Sequence, residues 1–353
     1  MGIFLAMQGA VAQGVLWSIM TLGVYITFKI LDFPDLTVDG SFATGGGVSA
    51  ILISQGVNPF LSLLVALIAG MACGFITGFL HTKLEIPGIL AGILTMIALY
   101  SINIRIMGQA NIPLLGVSTI NSTFSALFPA LSTNILSMCI GLVIVVLVIA
   151  LLYWFFGTEI GSAIRATGNN EYMVRALGVN TNKMKIIGLV LSNGLVGLSG
   201  AMVAQSQGYA DVQMGQGTIM IGLASVIIGE VLMGKRFSFA YKLISVVVGS
   251  VLYRVIIALV LWLGLKSTDL KLLTAVMVAV ALSIPVLNRV LQPVMKKLDK
   301  ILQPVRRVLG KIFDPINRML NKIFMPLERL LGKIFMPLIK RLHKKHKSDE
   351  SEE

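Results

Sequence analysis

Stretches of about twenty apolar residues recur from the N-terminus to about residue 287, each near the length a helix needs to cross a bilayer core. Few folds suit such a chain, because backbone N–H and C=O groups in hydrocarbon must be satisfied internally. Charged residues make up only 13% of the 353, against about a quarter in a soluble domain. The mean hydropathy is +0.87. Strand-type alternation is absent, which argues against a barrel. The expected fold is all-α: a polytopic transmembrane helical bundle. The first residues lack the basic region of a signal peptide, and Ala6 stands where a myristoylated Gly2 would want Ser or Thr. The first segment is expected to stay as a membrane helix.

About nine spans are predicted by length, near 11–31, 37–55, 59–80, 87–107, 134–156, 184–206, 214–233, 239–263 and 270–287. Thr44-Gly-Gly-Gly47 interrupts the second, either as a break in the helix or as a close-packing face. Residues 108–133 form a loop with some apolar character, re-entrant or interfacial. If 157–185 is cytoplasmic, then Lys29, Lys83, Arg165, Arg175, Lys183, Lys185, Lys235, Arg236 and the C-terminal tail fall inside. Lys266 and Lys271 fall outside, with Arg105 near an outer helix end. The positive-inside rule therefore favours N-out, C-in. Cys73 and Cys139 lie in apolar segments with no CxxC, so neither a disulfide framework nor a zinc site is expected.

The polar island between the fifth and sixth spans contains a short helix with both ends specified. Asn170 suits the N-cap, Glu171 the positive end of the dipole, and Gly178 the left-handed stop. Tyr172, Met173, Ala176 and Leu177 share one face, and Glu171 and Arg175 form an i,i+4 ion pair. A capped amphipathic helix at the mouth of a membrane protein reads as a docking element.

Ile164-Arg-Ala-Thr-Gly-Asn-Asn-Glu171, Arg175-Ala-Leu-Gly-Val179 and Leu191-Ser-Asn-Gly-Leu-Val-Gly-Leu-Ser-Gly-Ala-Met202 resemble the permeases of branched-chain amino acid and ribose type ATP-binding cassette importers. Leu31-Asp-Phe-Pro-Asp-Leu-Thr-Val-Asp-Gly-Ser-Phe42 and Ile221-Gly-Leu-Ala-Ser-Val-Ile-Ile-Gly-Glu-Val-Leu232 look like the subgroup paired with binding proteins for amino acids, including aromatic ones. The resemblance covers residues 1–290, a transmembrane permease domain. It implies a coupling helix seated in a separate ATPase subunit, formed by Gly168, Asn169, Asn170, Glu171, Tyr172, Met173, Arg175, Ala176, Leu177 and Gly178. It further implies an extracellular solute-binding protein, a second permease copy in a homodimer, and residence in the bacterial cytoplasmic membrane. No cofactor is expected on this chain; ATP and Mg²⁺ belong to the ATPase.

Gly229-Glu-Val-Leu-Met-Gly-Lys235 fits the start of a phosphate-binding loop, but Arg236 replaces the magnesium-ligating hydroxyl and the preceding residues form a membrane span. The match is a coincidence, so the energy source sits on another polypeptide and the chain is not an enzyme. Asp39, Asp211, Glu230 and Arg254 are candidates for the translocation path. For Glu230 and Arg254 three roles stand: lining the path, pairing with each other across helices, or lying near a helix end or snorkelling. A small amino acid, nucleoside or sugar suits a path with so few charges. An ion-driven secondary transporter is the different-class alternative, resting on Asp39 and the Gly45–Gly47 break. A membrane-shaping scaffold dominated by the tail would leave the polar island unexplained.

Residues 291–353 form a tail in which Pro293, Pro304, Pro315, Pro326 and Pro337 recur every eleven residues. Eleven residues make three turns, so positions keep their side of a helix that the prolines kink. Phe313, Phe324 and Phe335 join the apolar stripe, and each repeat also carries Lys300, Lys311, Lys322 or Lys333. A basic amphipathic repeat of this kind suits anionic lipids at the inner surface. Packing on the ATPase or a neighbouring permease is the second reading. Nucleic-acid binding is disfavoured, because the aromatics lie on the apolar face. Deletion of 291–353 is expected to leave membrane insertion intact, since every predicted span precedes it. Full transport by the truncated chain would remove any essential coupling role for the tail.

Overall fold

The computed structural model describes residues 2–127, 132–233, 238–264, 269–270, 272–280 and 283. The tail, with Lys300, Lys311, Lys322, Lys333, Phe313, Phe324 and Phe335, lies outside them, as do Lys235, Arg236, Lys266 and Lys271. The chain is a helical bundle: α1 (Gly2–Tyr25), α2 (Thr37–Ser54), α3 (Pro59–Lys83), α4 (Gly88–Met107), α5 (Ile120–Leu127), α6 (Thr133–Phe156), α7 (Glu159–Asn169), α8 (Glu171–Ala176), α9 (Thr181–Gln207), α10 (Thr218–Met233) and α11 (Phe239–Trp262). Residues 272–280 are also helical. Among the described residues six helices are long and apolar enough to cross a membrane: Ala6–Ile30, α3, α4, α6, α9 and α11.

Local chemistry sets many of the ends. Asn58 accepts from the Phe60 N–H at 2.9 Å and Pro59 opens α3, while Asn180 caps α9 through the Lys183 N–H at 3.0 Å. Gly108 and Gly208 take left-handed backbone after α4 and α9. The first helix ends in a π-helical turn, Ile26–Ile30, followed by an irregular link to Thr37. Helix α2 runs unbroken through Thr44–Gly47. Its glycines serve close packing, not a break.

Helix α9 is the centre of the bundle. On one side it meets α2 and α3 backbone to backbone: a Cβ on Gly45 would strike Gly197, one on Gly200 would strike Phe42, and ones on Gly70 and Gly74 would strike the Asn193 and Leu189 carbonyls. Small residues let helices approach this closely in lipid, where dispersion and hydrogen bonds drive association. On the side facing α1, the Ser192 and Ser199 hydroxyls donate to the Gly23 and Leu16 carbonyls at 2.8 and 2.9 Å. The matched seven-residue spacing fixes an antiparallel pair. A hydroxyl ladder joins α2, α3 and α4, Thr37 to Thr77 at 2.6 Å and Thr77 to Thr95 at 2.9 Å.

The two ends of α9 differ. Its N-terminal end lies with α7, α8 and the end of the first helix. Beyond its C-terminus an antiparallel two-stranded ribbon, β1 (Asn111–Pro113) with β2 (Tyr209–Asp211), covers a small core of Ile53, Met107, Ile112 and Ala210. The ribbon is an addition to the all-helical expectation. It pairs backbone groups of two connections whose Ile112 and Ala210 are buried.

Replacing Gly45 by Ala should overpack α2 against α9 and cost about 1–3 kcal/mol, read as a lower thermal midpoint of the detergent-purified protein. Gly9→Ala, whose Cβ would sit 3.8 Å from Asn134, should leave the midpoint unchanged.

Candidate functional site

The polar island folds as two helices. Helix α7 is capped by Thr158 and reaches Asn169, where Asn170 leaves helical geometry at φ −157° and ψ 95°. Gly168 and Asn169 thus belong to α7 and not to one continuous helix from Gly168 to Gly178. Gly168 is a packing residue, its Cβ position blocked by Ile30 and Leu31. Asn170 then caps α8, accepting from the Met173 N–H at 3.0 Å, and Gly178 has φ +86°. Both expected signals are present.

Six residues are too few for a helix to persist alone, so tertiary anchors hold α8. Val174 is 2% exposed. The Glu171 carboxylate accepts from Arg175 at 2.8 Å, from the Lys185 ammonium at 2.8 Å and from the Thr181 hydroxyl at 3.1 Å. The expected Glu171–Arg175 pair is therefore one arm of a clasp onto the first turn of α9. Sequence spacing did not reveal the Lys185 and Thr181 arms. Burial alone would raise the Glu171 pKa. Its hydrogen bonds to Lys185 and Thr181 and the charges of Lys185 and Arg175 outweigh that and hold it below the ordinary 4.5. Tyr172 (84% exposed), Met173 and Leu177 (74% exposed) point outward with no apolar cover. Beside them opens a cleft of about 610 Å³ lined by Phe33, His81, Asn170, Tyr172 and Lys185.

The four path candidates are not brought together. Asp39, on α2, caps the start of α10, accepting from Gly217 and Ile219 N–H groups at 2.9 and 3.0 Å and from the Thr218 hydroxyl at 2.8 Å. Asp211 sits in the ribbon, accepting from the Asn111 amide at 3.3 Å and the Gln213 N–H at 2.7 Å. Glu230 pairs with Lys29 at 3.1 Å, so of its three readings the pair with Arg254 is not the one formed. Gly229 packs on Ser245, so Glu230 meets α11 about nine residues, or roughly 14 Å of helix rise, from Arg254. The Arg254 guanidinium instead lies over the Trp17 ring, 3.8 Å from its centroid. Arg165 is likewise over Phe239 at 5.6 Å.

Sequence reasoning passed over a buried polar group. Asp35 accepts from the Asn193 amide at 2.6 Å and the Thr37 N–H at 2.9 Å, and Asn193 accepts from the Ser41 hydroxyl at 2.7 Å. Gln205 donates to Ser49 and Ser62 at 3.1 Å and accepts from the Ile120 N–H at 3.1 Å. An Asn and a Gln inside one apolar span were the available signal.

Residues 6–281 match the family described as the branched-chain amino acid transport system permease component. The chain belongs to this permease family. A tyrosine transport system permease protein of Clostridioides difficile is 42% identical over 286 residues, 81% of this chain and 93% of its own. An uncharacterized protein of Rickettsia prowazekii is 32% identical over 280 residues, 78% of this chain and 95% of its own. The autoinducer 2 import permease LsrC of Yersinia enterocolitica is 28% identical over 200 residues, 55% of this chain and 53% of its own. No solved structure matches. The permease is a multi-pass protein of the bacterial inner membrane and a component of an ATP-binding cassette importer, not an enzyme. Membership implies an ATPase on a separate subunit and a solute-binding protein.

The clasp carries a pH dependence. Since the folded-state pKa of Glu171 is depressed, its contribution to holding α8 is complete above the ordinary 4.5 and disappears as pH falls through the lower folded value. Amide exchange in 171–180, corrected for intrinsic rates, should speed up below pH 4.5 in the native protein. In Glu171→Gln it should be fast already at pH 7 and show no such step.

Proposed function

We propose that this permease moves an amino acid into the cell and that α8 is its coupling helix, seated in a groove of the ATPase. The exposed apolar face of α8 carries the reading: Tyr172, Met173 and Leu177 stand free of the fold while Val174 and the Glu171 clasp fix their backbone to α9. Burying Leu177 and Tyr172 against a partner would contribute about 1.5–3 kcal/mol each. ATP and Mg²⁺ bind the ATPase, and closure of its dimer moves α8 and with it α9. Such binding does work only because the two membrane states differ in their contacts with the ATPase.

The chain runs N-out, C-in with nine spans, α8 cytoplasmic, and acts as a homodimer. Lys29, Arg165, Arg175 and Lys185 gather at the α8 end of the bundle, as the positive-inside rule requires of that side. The tail lies on anionic lipid at the inner surface. An amino acid cargo is favoured by the 42% identical tyrosine transport permease. A different small solute is the second reading, favoured by the autoinducer 2 import permeases at lower identity. Asp39, engaged as the α10 cap, lends an ion-coupled mechanism little support.

Leu177→Glu should abolish co-purification of the ATPase from membranes while leaving the amount and thermal midpoint of the permease unchanged, because the side chain touches little of its own fold. Tyr172→Ala should weaken it. An intact permease that brings down no ATPase in several mild detergents would sink the coupling assignment.

A further inference from the structure

Five buried side-chain polar atoms lack a hydrogen-bond partner among the described residues, and four of them belong to Arg254, Trp17 and Gln13. They are Arg254 Nε and Nη2, Trp17 Nε1 and Gln13 Oε1. Gln13 and Trp17 lie one turn apart on the same face of α1. Trp17 and Arg254 meet where α1 crosses α11, 3.8 Å from guanidinium carbon to ring centroid. By helix rise the cluster sits roughly 20 Å from the α8 end of the bundle, in its far half.

Leaving donors bare in a membrane protein is costly, so their chemistry is informative. Nε and Nη2 are adjacent nitrogens of one guanidinium edge. Their N–H bonds run parallel and match the two oxygens of a carboxylate. The Trp17 ring covers the guanidinium face, and the Nε–Nη2 edge is buried without a partner. Phe42, fully buried on α2, packs on Trp17 at 5.0 Å between centroids and holds the platform still. Among the described residues, Glu230 is engaged by Lys29 and Asp39 by the start of α10. Gln13 Oε1 adds an acceptor and Trp17 Nε1 a further donor.

We infer that Arg254, Trp17 and Gln13 form a transit site for the zwitterionic head of an amino acid, with the carboxylate on the free Arg254 edge and the ammonium on Gln13 Oε1. This rests on the importer reading and deepens it by assigning which atoms recognise the cargo. The site leaves the cargo side chain unread, which leaves discrimination among amino acids to the binding protein. It also takes no part in seating the ATPase.

The test is uptake of radiolabelled L-tyrosine, L-phenylalanine and L-leucine by proteoliposomes holding the permease, its ATPase and its binding protein. Arg254→Lys keeps the charge and loses the paired edge. It should cut uptake about tenfold or more, with ATPase co-purification and thermal midpoint as for the native chain. Trp17→Phe keeps an aromatic platform and loses one donor, and should cut uptake roughly fivefold. Native uptake with both variants at the native rate overturns the transit site and leaves the importer reading standing. A native complex that retains its ATPase and imports none of the three overturns the amino-acid reading and the transit site with it.

Discussion

Backbone contact between α9 and its neighbours is the constraint on which the rest of the bundle depends. In lipid no hydrophobic drive pulls one apolar helix onto another, so association must come from contact area and from polar groups shared between helices. Gly45 against Gly197, Gly200 against Phe42, and Gly70 and Gly74 against the α9 carbonyls bring main chains together. Once they are that close, Ser192 and Ser199 reach carbonyls on α1, and Asn193 reaches Asp35. The polar contacts follow from the small residues. A wider gap would leave the same groups bare in hydrocarbon.

The N-terminal end of α9 holds α8 through Thr181 and Lys185, while Gln205 near the far end ties α2, α3 and the start of α5 together. At about 1.5 Å per residue, its 27 residues span roughly 40 Å. One rigid helix therefore touches the candidate docking element at one end and the ribbon end of the molecule at the other. Displacement of α8 cannot be absorbed locally without breaking the Glu171 clasp.

Local signals were legible in the residues. Asn170 caps and Gly178 stops α8 as expected, and the apolar stretches between 37 and 263 become helices with ends within a few residues of those expected, whereas the first helix begins at Gly2 and not near residue 11. The Gly45–Gly47 run was ambiguous because a glycine weakens a helix and narrows it in the same stroke, and only a neighbour decides between the two. What escaped was distant in sequence: the Glu230 partner lies 201 residues away, and that of Asp35 lies 158 residues away. The break at Asn170 was visible as a cap but not as the end of a preceding helix, since α7 carries its own start signal at Thr158. The docking face was readable as a stripe, yet whether the fold covers it depends on Val174, which periodicity does not single out.

The hydroxyl ladder has a further consequence. Thr77 also reaches the Cys73 carbonyl at 3.3 Å, and Thr95 the Ala91 carbonyl at 3.0 Å, each one turn back on its own helix. A threonine hydroxyl rotates freely and can turn its hydrogen to either acceptor. Parting α3 from α4 thus exposes no orphaned donor, because each hydroxyl falls back on its own backbone. The rung behaves as a latch with a built-in resting place, so these two helices can slide or separate with little enthalpic penalty, whereas the interlocked glycines of α9 cannot.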